Sequence, residues 1–243
     1  MRVLLSGEGP TDLGCCRNSQ GRCAGEDFRI GPMTVLLAQV AEPRLGYDLR
    51  SFPDSLSYLG ESDLSTFAKS LQRRMLVARG KKHGAETGYF FASAMALGKQ
   101  ALDLGAQLGE PVLAVLFRDS DGTRSSPSTL WADKIKSMRD GFALVECNAG
   151  VPMVPKPKSE TWLLCAALPE VQNCESLENI SGNDNAPNSA KDRLDAVFGE
   201  HKSGDELCDW LTEQPADVTR LRTMPSFEAF HEDLDRALNH LLH

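Results

Sequence analysis

An α/β fold with a largely parallel sheet is predicted by three observations. Short apolar runs closed by turn residues alternate with longer stretches of helical spacing, the pattern of strand–helix–strand units. "RVLLS" near the start carries a short apolar run closed by turn residues, and "VLAVLF" near the middle, the most strand-like run, is apolar throughout, as strands buried on both faces are. A length of 243 residues, 41% of them hydrophobic and 25% charged, suits a buried core with a smaller appendage.

The elements follow in order. "RVLLS" is a buried strand ending in Gly7-Glu8-Gly9-Pro10, and "NSQGRCAGEDFRIG" after Asp12 has loop character. "GPMTVLLAQVAEPRLG" is a helix stopped by Pro43 and Gly46, and "YDLRSF" is a second strand. A helix opens at Ser62 or Asp63 and ends at Gly80, where Arg79, Lys81, Lys82 and His83 form a basic patch. That patch suits a helix C-terminus as well as a phosphate backbone. "ETGYFFASAMALGKQALDLGAQLG" has the small residues of a helix packed on a sheet; Pro111 introduces "VLAVLF", which ends in Arg118-Asp119-Ser120-Asp121-Gly122. Then come a helix at "SPSTLWADKIKSMRDG", a strand at "FALVECN", a short run "VPMVP" and a helix at "SETWLLCAAL".

From about Pro169 the chain turns polar and then helical, so residues 1–168 are expected to form one domain and 169–243 a helical extension packed on it. In the last helix Phe227, Phe230, Leu234, Leu238 and Leu241 fall on one stripe, expected to cover the sheet or form an interface.

Composition excludes several classes. No apolar run approaches the ~18 residues of a membrane span, and "MRVLLSGEG" turns polar too soon for a signal peptide, so a cytoplasmic, non-membrane protein is expected. Seven cysteines at irregular spacing make a poor disulfide framework, and Cys15, Cys16 and Cys23 match no common zinc pattern; free thiols are expected. A formal charge of −8 means that nucleic acid would have to be gripped through metal ions, a local basic patch or a more basic partner. No P-loop is present.

Two strands end in acids: Glu8 after the first, Asp119 and Asp121 after "VLAVLF". Open α/β sheets bind ligands beyond the carboxyl ends of their strands. Carboxylates gathered there repel one another unless a cation joins them, and hard oxygen donors suit Mg²⁺ or Mn²⁺. Taken singly, each segment also reads as an ordinary turn.

"SGEGPTD" followed by "LFRDSDGT" resembles the toprim domain of topoisomerases, bacterial primases, small maturation nucleases and the overcoming-lysogenization-defect nucleases. The resemblance covers residues 1 to about 165 and implies a Rossmann-like sheet with Glu8, Asp119 and Asp121 holding divalent metal, and Asp12 as the extra acid of nuclease branches. "VPKPKSETWLL", residues 154–164, is similar to the "P…E-x-W-L-L" signature of small stand-alone toprim-like proteins of bacterial defence loci. That likeness implies Glu160 as a further metal-facing acid and Lys156 or Lys158 as a cation at the phosphate. Glu160 also suits the first turn of a helix for reasons of dipole alone, while Trp162 and Leu163 are expected in the core.

The implied activity is metal-assisted phosphodiester cleavage in DNA or RNA, with Glu8, Asp119, Asp121 and Lys158 or Lys156 catalytic. Glu8, Asp12, Asp119, Asp121 and Glu160 would hold Mg²⁺ or Mn²⁺, two-metal sites setting their ions about 4 Å apart. The defence-locus likeness further implies an anti-phage effector acting with a partner ATPase. Topoisomerase and primase activities are excluded by the short chain, with only Tyr47, Tyr58 and Tyr89 as tyrosines, and by the lack of a zinc module. The alternatives are a non-catalytic toprim-like module binding nucleic acid or a partner, and a phosphotransferase with Asp119 as nucleophile. Arg220 and Arg222 are further candidate contacts for a partner or nucleic acid.

Overall fold

The computed structural model describes residues 1–18, 20–75, 85–121 and 129–242. The basic patch of Arg79, Lys81, Lys82 and His83 lies outside the described residues.

A five-stranded sheet is built from β1 (Arg2–Gly7), β3 (Arg22–Ala24), β5 (Leu56–Leu59), β6 (Val112–Phe117) and β7 (Gly150–Met153), in the order β3-β5-β1-β6-β7. All pairings are parallel except β3 against β5. A ribbon of β2 (Gly14–Cys16) and β4 (Phe28–Ile30) is separate from it, and the segment expected as a loop supplies both β3 and β4. After β1 the chain crosses to β5 on one side, then returns to place β6 on the other. The switch point of the sheet therefore lies between the carboxyl ends of β1 and β6.

Strand alternation divides the core into two layers. Val3, Leu5, Leu113, Val115 and Phe117 face α1 (Pro32–Leu45), α5 (Ser159–Ala167), α7 (Gly204–Glu213) and α9 (Pro225–Leu242). Leu4, Ala114 and Leu116 face α2 (Glu61–Met75), α3 (Ala85–Leu108) and α4 (Leu130–Leu144). The last elements are α6 (Ala190–Phe198) and a short α8 (Val218–Leu221).

Phe227, Phe230, Leu234 and Leu238 are buried in the first layer, so the α9 stripe covers the sheet rather than lying free. Trp162, fully buried, packs edge-on against Phe227 and tilted against Phe230, and donates its indole N–H to Ser226 Oγ at 2.8 Å. Residues beyond 168 thus share one apolar layer with the sheet.

Two strand expectations are corrected. "YDLRSF" forms a 3₁₀ turn at Leu49–Ser51, with Tyr47 and Phe52 packed edge to face, and the strand is the next segment, Leu56–Leu59. "FALVECN" belongs to α4 through Leu144, because Phe142 is buried on the second layer; the strand is the "VPM" run, which carries Pro152. Proline is tolerated there because β7 is an edge strand paired only with β6.

The thiol expectation is also corrected. Cys16–Cys23 and Cys165–Cys174 are disulfides, with Cα atoms 5.6 and 5.7 Å apart, and Cys15, Cys147 and Cys208 are free. The first bond ties the β2–β4 ribbon to β3 at the sheet edge, a pairing made across elements that spacing does not reveal. This removes the cysteine count as an argument for a reducing compartment. No described helix is long and apolar enough to cross a membrane.

Candidate functional site

Register places Gly7 opposite Phe117, so the residues after each strand leave the sheet side by side. Glu8 Oε1 accepts the backbone N–H of Asp119, which joins the two acidic turns directly. The turn after Glu8 needs glycine at one position: Gly9 has φ +70°, and a Cβ there would stand 3.0 Å from Asp12 Oδ2.

On the α2/α3 side lies Arg118, 1% exposed. Its guanidinium sits 5.3 Å from the centroid of the Tyr89 ring, donates to Tyr89 Oη at 3.1 Å, and lies 3.7 Å from Glu61. Tyr89 in turn donates its hydroxyl to Glu61. Arg118 Nε has no hydrogen-bond partner among the described residues. Burial raises the Glu8 carboxyl above its ordinary value; Arg118 is the main opposing influence.

On the α5 side no fully buried cation faces the acids among the described residues; Lys158, partly exposed, opposes the rise at Asp12 less than the Ser159 bond does. Asp119 Oδ1 accepts the Ser159 backbone N–H at 2.9 Å, and Ser159 Oγ donates to Asp12 Oδ1 at 2.5 Å. Ser159 opens α5, so Asp119 meets the positive end of that helix and caps it from a distant part of the chain. Even so, burial, reinforced by Asp12, Glu160, Glu8 and Asp121, raises the Asp119 carboxyl well above the usual range. Burial, helped by Glu160, pushes Asp12 up to about 6 against the lowering by its Ser159 bond.

The loop carrying the second acid pair is held from beneath. Ser120 and Asp121 donate backbone N–H groups to the Pro157 carbonyl, each at 3.0 Å, and the buried Lys134 donates to the Ser120 carbonyl at 2.7 Å. Asp121, at φ 47°, is the most open of the acids, with 58% of its side chain exposed. Lys158 Nζ stands 3.8 Å from Asp121 and donates to Asp184 at 2.8 Å. Lys156 turns elsewhere, 3.8 Å from Glu178 and over the Trp131 ring.

Glu8, Asp12, Asp119, Asp121, Glu160 and Lys158 are therefore neighbours, and Lys156 pairs outside the cluster. Arg222 is engaged by Glu228, and Arg220 donates to the Ala166 carbonyl. Three contributors escape sequence reasoning: Ser159, Arg118 and Tyr89. Arg118 had a signal, since the residue before Asp119 must face the opposite side of the sheet.

Among the described residues no three His, Cys, Asp or Glu side chains stand arranged to hold one metal ion. The donor chemistry nonetheless suits a hard divalent cation: several carboxylates lie close together, and burial, reinforced by the neighbouring acids, raises the proton affinity of Asp119 and Asp12. Two of their oxygens are occupied by Ser159.

Of two cavities on this face of the sheet, one adjoins the acids. One of about 410 Å³ is lined by Asp12, Ser159 and Glu160 together with residues of α6 and α7. A wider groove of about 1270 Å³ lies around Arg17, Phe28 and Arg50, and none of the five candidate acids lines it. Comparison of the chain with protein-family models, with curated proteins and with solved structures finds no match.

Proposed function

We propose that the chain is a toprim-like, divalent-metal-dependent nuclease that hydrolyses phosphodiester bonds in DNA or RNA. The observation that carries this reading is the crowding of Glu8, Asp12, Asp119, Asp121 and Glu160 at the sheet's switch point, where among the described residues the partly exposed Lys158 is the cation beside them on the α5 side. A scaffold gains nothing from gathering acids in one partly buried place, whereas a site for a hard cation requires them.

Glu8, Asp119 and Asp121, with Asp12 and Glu160 beside them, would hold Mg²⁺ or Mn²⁺, which when bound supplies Lewis-acid activation of water and phosphate. The protein's own contribution is positional. The Glu8–Asp119 bond fixes the two turns together, and Ser159 orients Asp119 and Asp12 from the end of α5. Lys158, beside Asp121, places a positive charge where a phosphate would lie. Glu8, with its raised proton affinity, suits proton transfer when it is not itself a tight ligand. Action as an anti-phage effector with a partner ATPase, inside the cytoplasm, belongs to the same proposal and rests on the resemblance alone.

The test is incubation of the purified chain with supercoiled plasmid, single-stranded DNA and total tRNA in Mg²⁺, Mn²⁺ or EDTA. Cutting that needs metal and vanishes in Glu8→Ala and Asp119→Ala is the expected result; cutting unchanged in both variants rejects the proposal. A second reading, a non-catalytic module that binds nucleic acid or a partner, is favoured by the Ser159 bonds, which give Asp119 and Asp12 a structural use. Wild-type binding of nucleic acid without turnover in either metal would select it.

A further inference from the structure

We propose that the 410 Å³ cavity beside the acids is a slot for the terminal nucleotide of a single nucleic-acid strand; this rests on the nuclease reading and names its substrate class. The volume falls in the range of small-ligand sites. One wall is acidic, formed by Asp12 and Glu160 around Ser159. The rest of the lining carries Lys191, His201 and Lys202 together with Asp195, and Leu194 and Phe198 give it an apolar part. A phosphate with a flat, largely apolar base has the same division of character, and lysine binds phosphate as a point charge.

The cations differ in availability. Arg29 is held by Asp205, His201 Nδ1 lies 3.1 Å from Asp195, and Lys202 Nζ lies 3.5 Å from Glu200 and over the Phe198 ring. Lys191 is exposed and forms no ion pair among the described residues, so it is the charge most open to an incoming phosphate. The slot is also closed on one side. Gly204, at the start of α7, lies so near the Thr11 carbonyl that a Cβ would stand 3.2 Å from it, and the Arg29–Asp205 pair bridges the same boundary. Arg29 lines both the slot and the wider groove, and Asp205 lines the groove, so this pair stands between the two. A strand entering beside Asp12 meets this barrier instead of running through, which selects an end over an internal segment.

The test uses fluorescence anisotropy with a short labelled oligothymidylate carrying a terminal phosphate, in Ca²⁺, and closed circular single-stranded DNA as competitor. Lys191→Glu is expected to weaken binding about tenfold, the size of a lost phosphate contact, while Lys136→Glu, an equal charge change at an exposed position of α4 on the other face of the sheet, leaves it unchanged. Linear competitor should displace the probe far better than circles of equal nucleotide content. Equal competition by circles, equal loss in the two variants, or no binding at all overturns the slot. Failure of the nuclease reading looks different: end-selective, Lys191-dependent binding would persist while no substrate is cut in Mg²⁺ or Mn²⁺.

Discussion

On the α2/α3 side of the β1–β6 junction, Glu8 and Glu61 share the buried guanidinium of Arg118. On the α5 side, Asp119, Asp12 and Glu160 meet across the neutral hydrogen bonds of Ser159, with the partly exposed Lys158 at the rim. The two sides sit at the ends of neighbouring strands in one sheet. Opposite-charge pairing stabilises the first; the second is held by its surroundings against its own repulsion, the pattern expected where function rather than stability has set the residues.

The sharpest way to break the comparison is Asp119→Asn. Cleavage should fall on the order of 10³-fold, the range for losing a charged catalytic group, while the metal-free variant unfolds at a higher temperature than wild type because one repelling charge is gone. A plasmid-nicking rate and a calorimetric scan in EDTA read both signs; a lower unfolding temperature would show that the Ser159 cap outweighs the repulsion. Arg118→Met should do the reverse. It leaves Glu8 and Glu61 without their cation and costs roughly 3 kcal/mol of stability, measured by urea unfolding.

Acidity sharpens the contrast next. Asp12 rises from its ordinary 3.8 to about 6. Between those values the folded chain keeps a proton that the unfolded chain has released. The metal-free fold therefore loses stability as pH climbs through about 6, and regains it as pH falls. Unfolding temperature against pH in EDTA should show this fall, and Asp12→Asn should flatten it. The smallest expected effect separates the two lysines. Lys158→Gln should slow cleavage about tenfold with under about 1 kcal/mol lost in stability, whereas Lys156→Gln, whose partner is Glu178, should leave the rate within about twofold.

The acids at the strand ends are legible in the sequence because a parallel sheet fixes where its strand-end turns must lie. Glu8 and Asp119 needed only the strands "RVLLS" and "VLAVLF" to be placed together. The strand at Gly150–Met153 is harder to read, since Pro152 argues against any strand but an edge one, and edge position is a property of the whole sheet. Ser159 looks like an ordinary residue at a helix start. Its bonds to Asp119 and Asp12 join positions that no local pattern connects. The cysteine pairs escape for the same reason. Cys16 and Cys23 meet only once the ribbon folds beside the sheet edge.

The burial of Trp162 between Phe227 and Phe230 bears on how the chain can be dissected. Trp162 rides on the same helix whose first turn holds Ser159 and Glu160, so the last helix clamps the floor on which the acids stand. Truncation after Leu168 would bare this aromatic cluster to water and loosen α5 at its root. The C-terminal third is therefore an inseparable buttress of the acidic edge, and a shortened fragment should aggregate rather than retain the site.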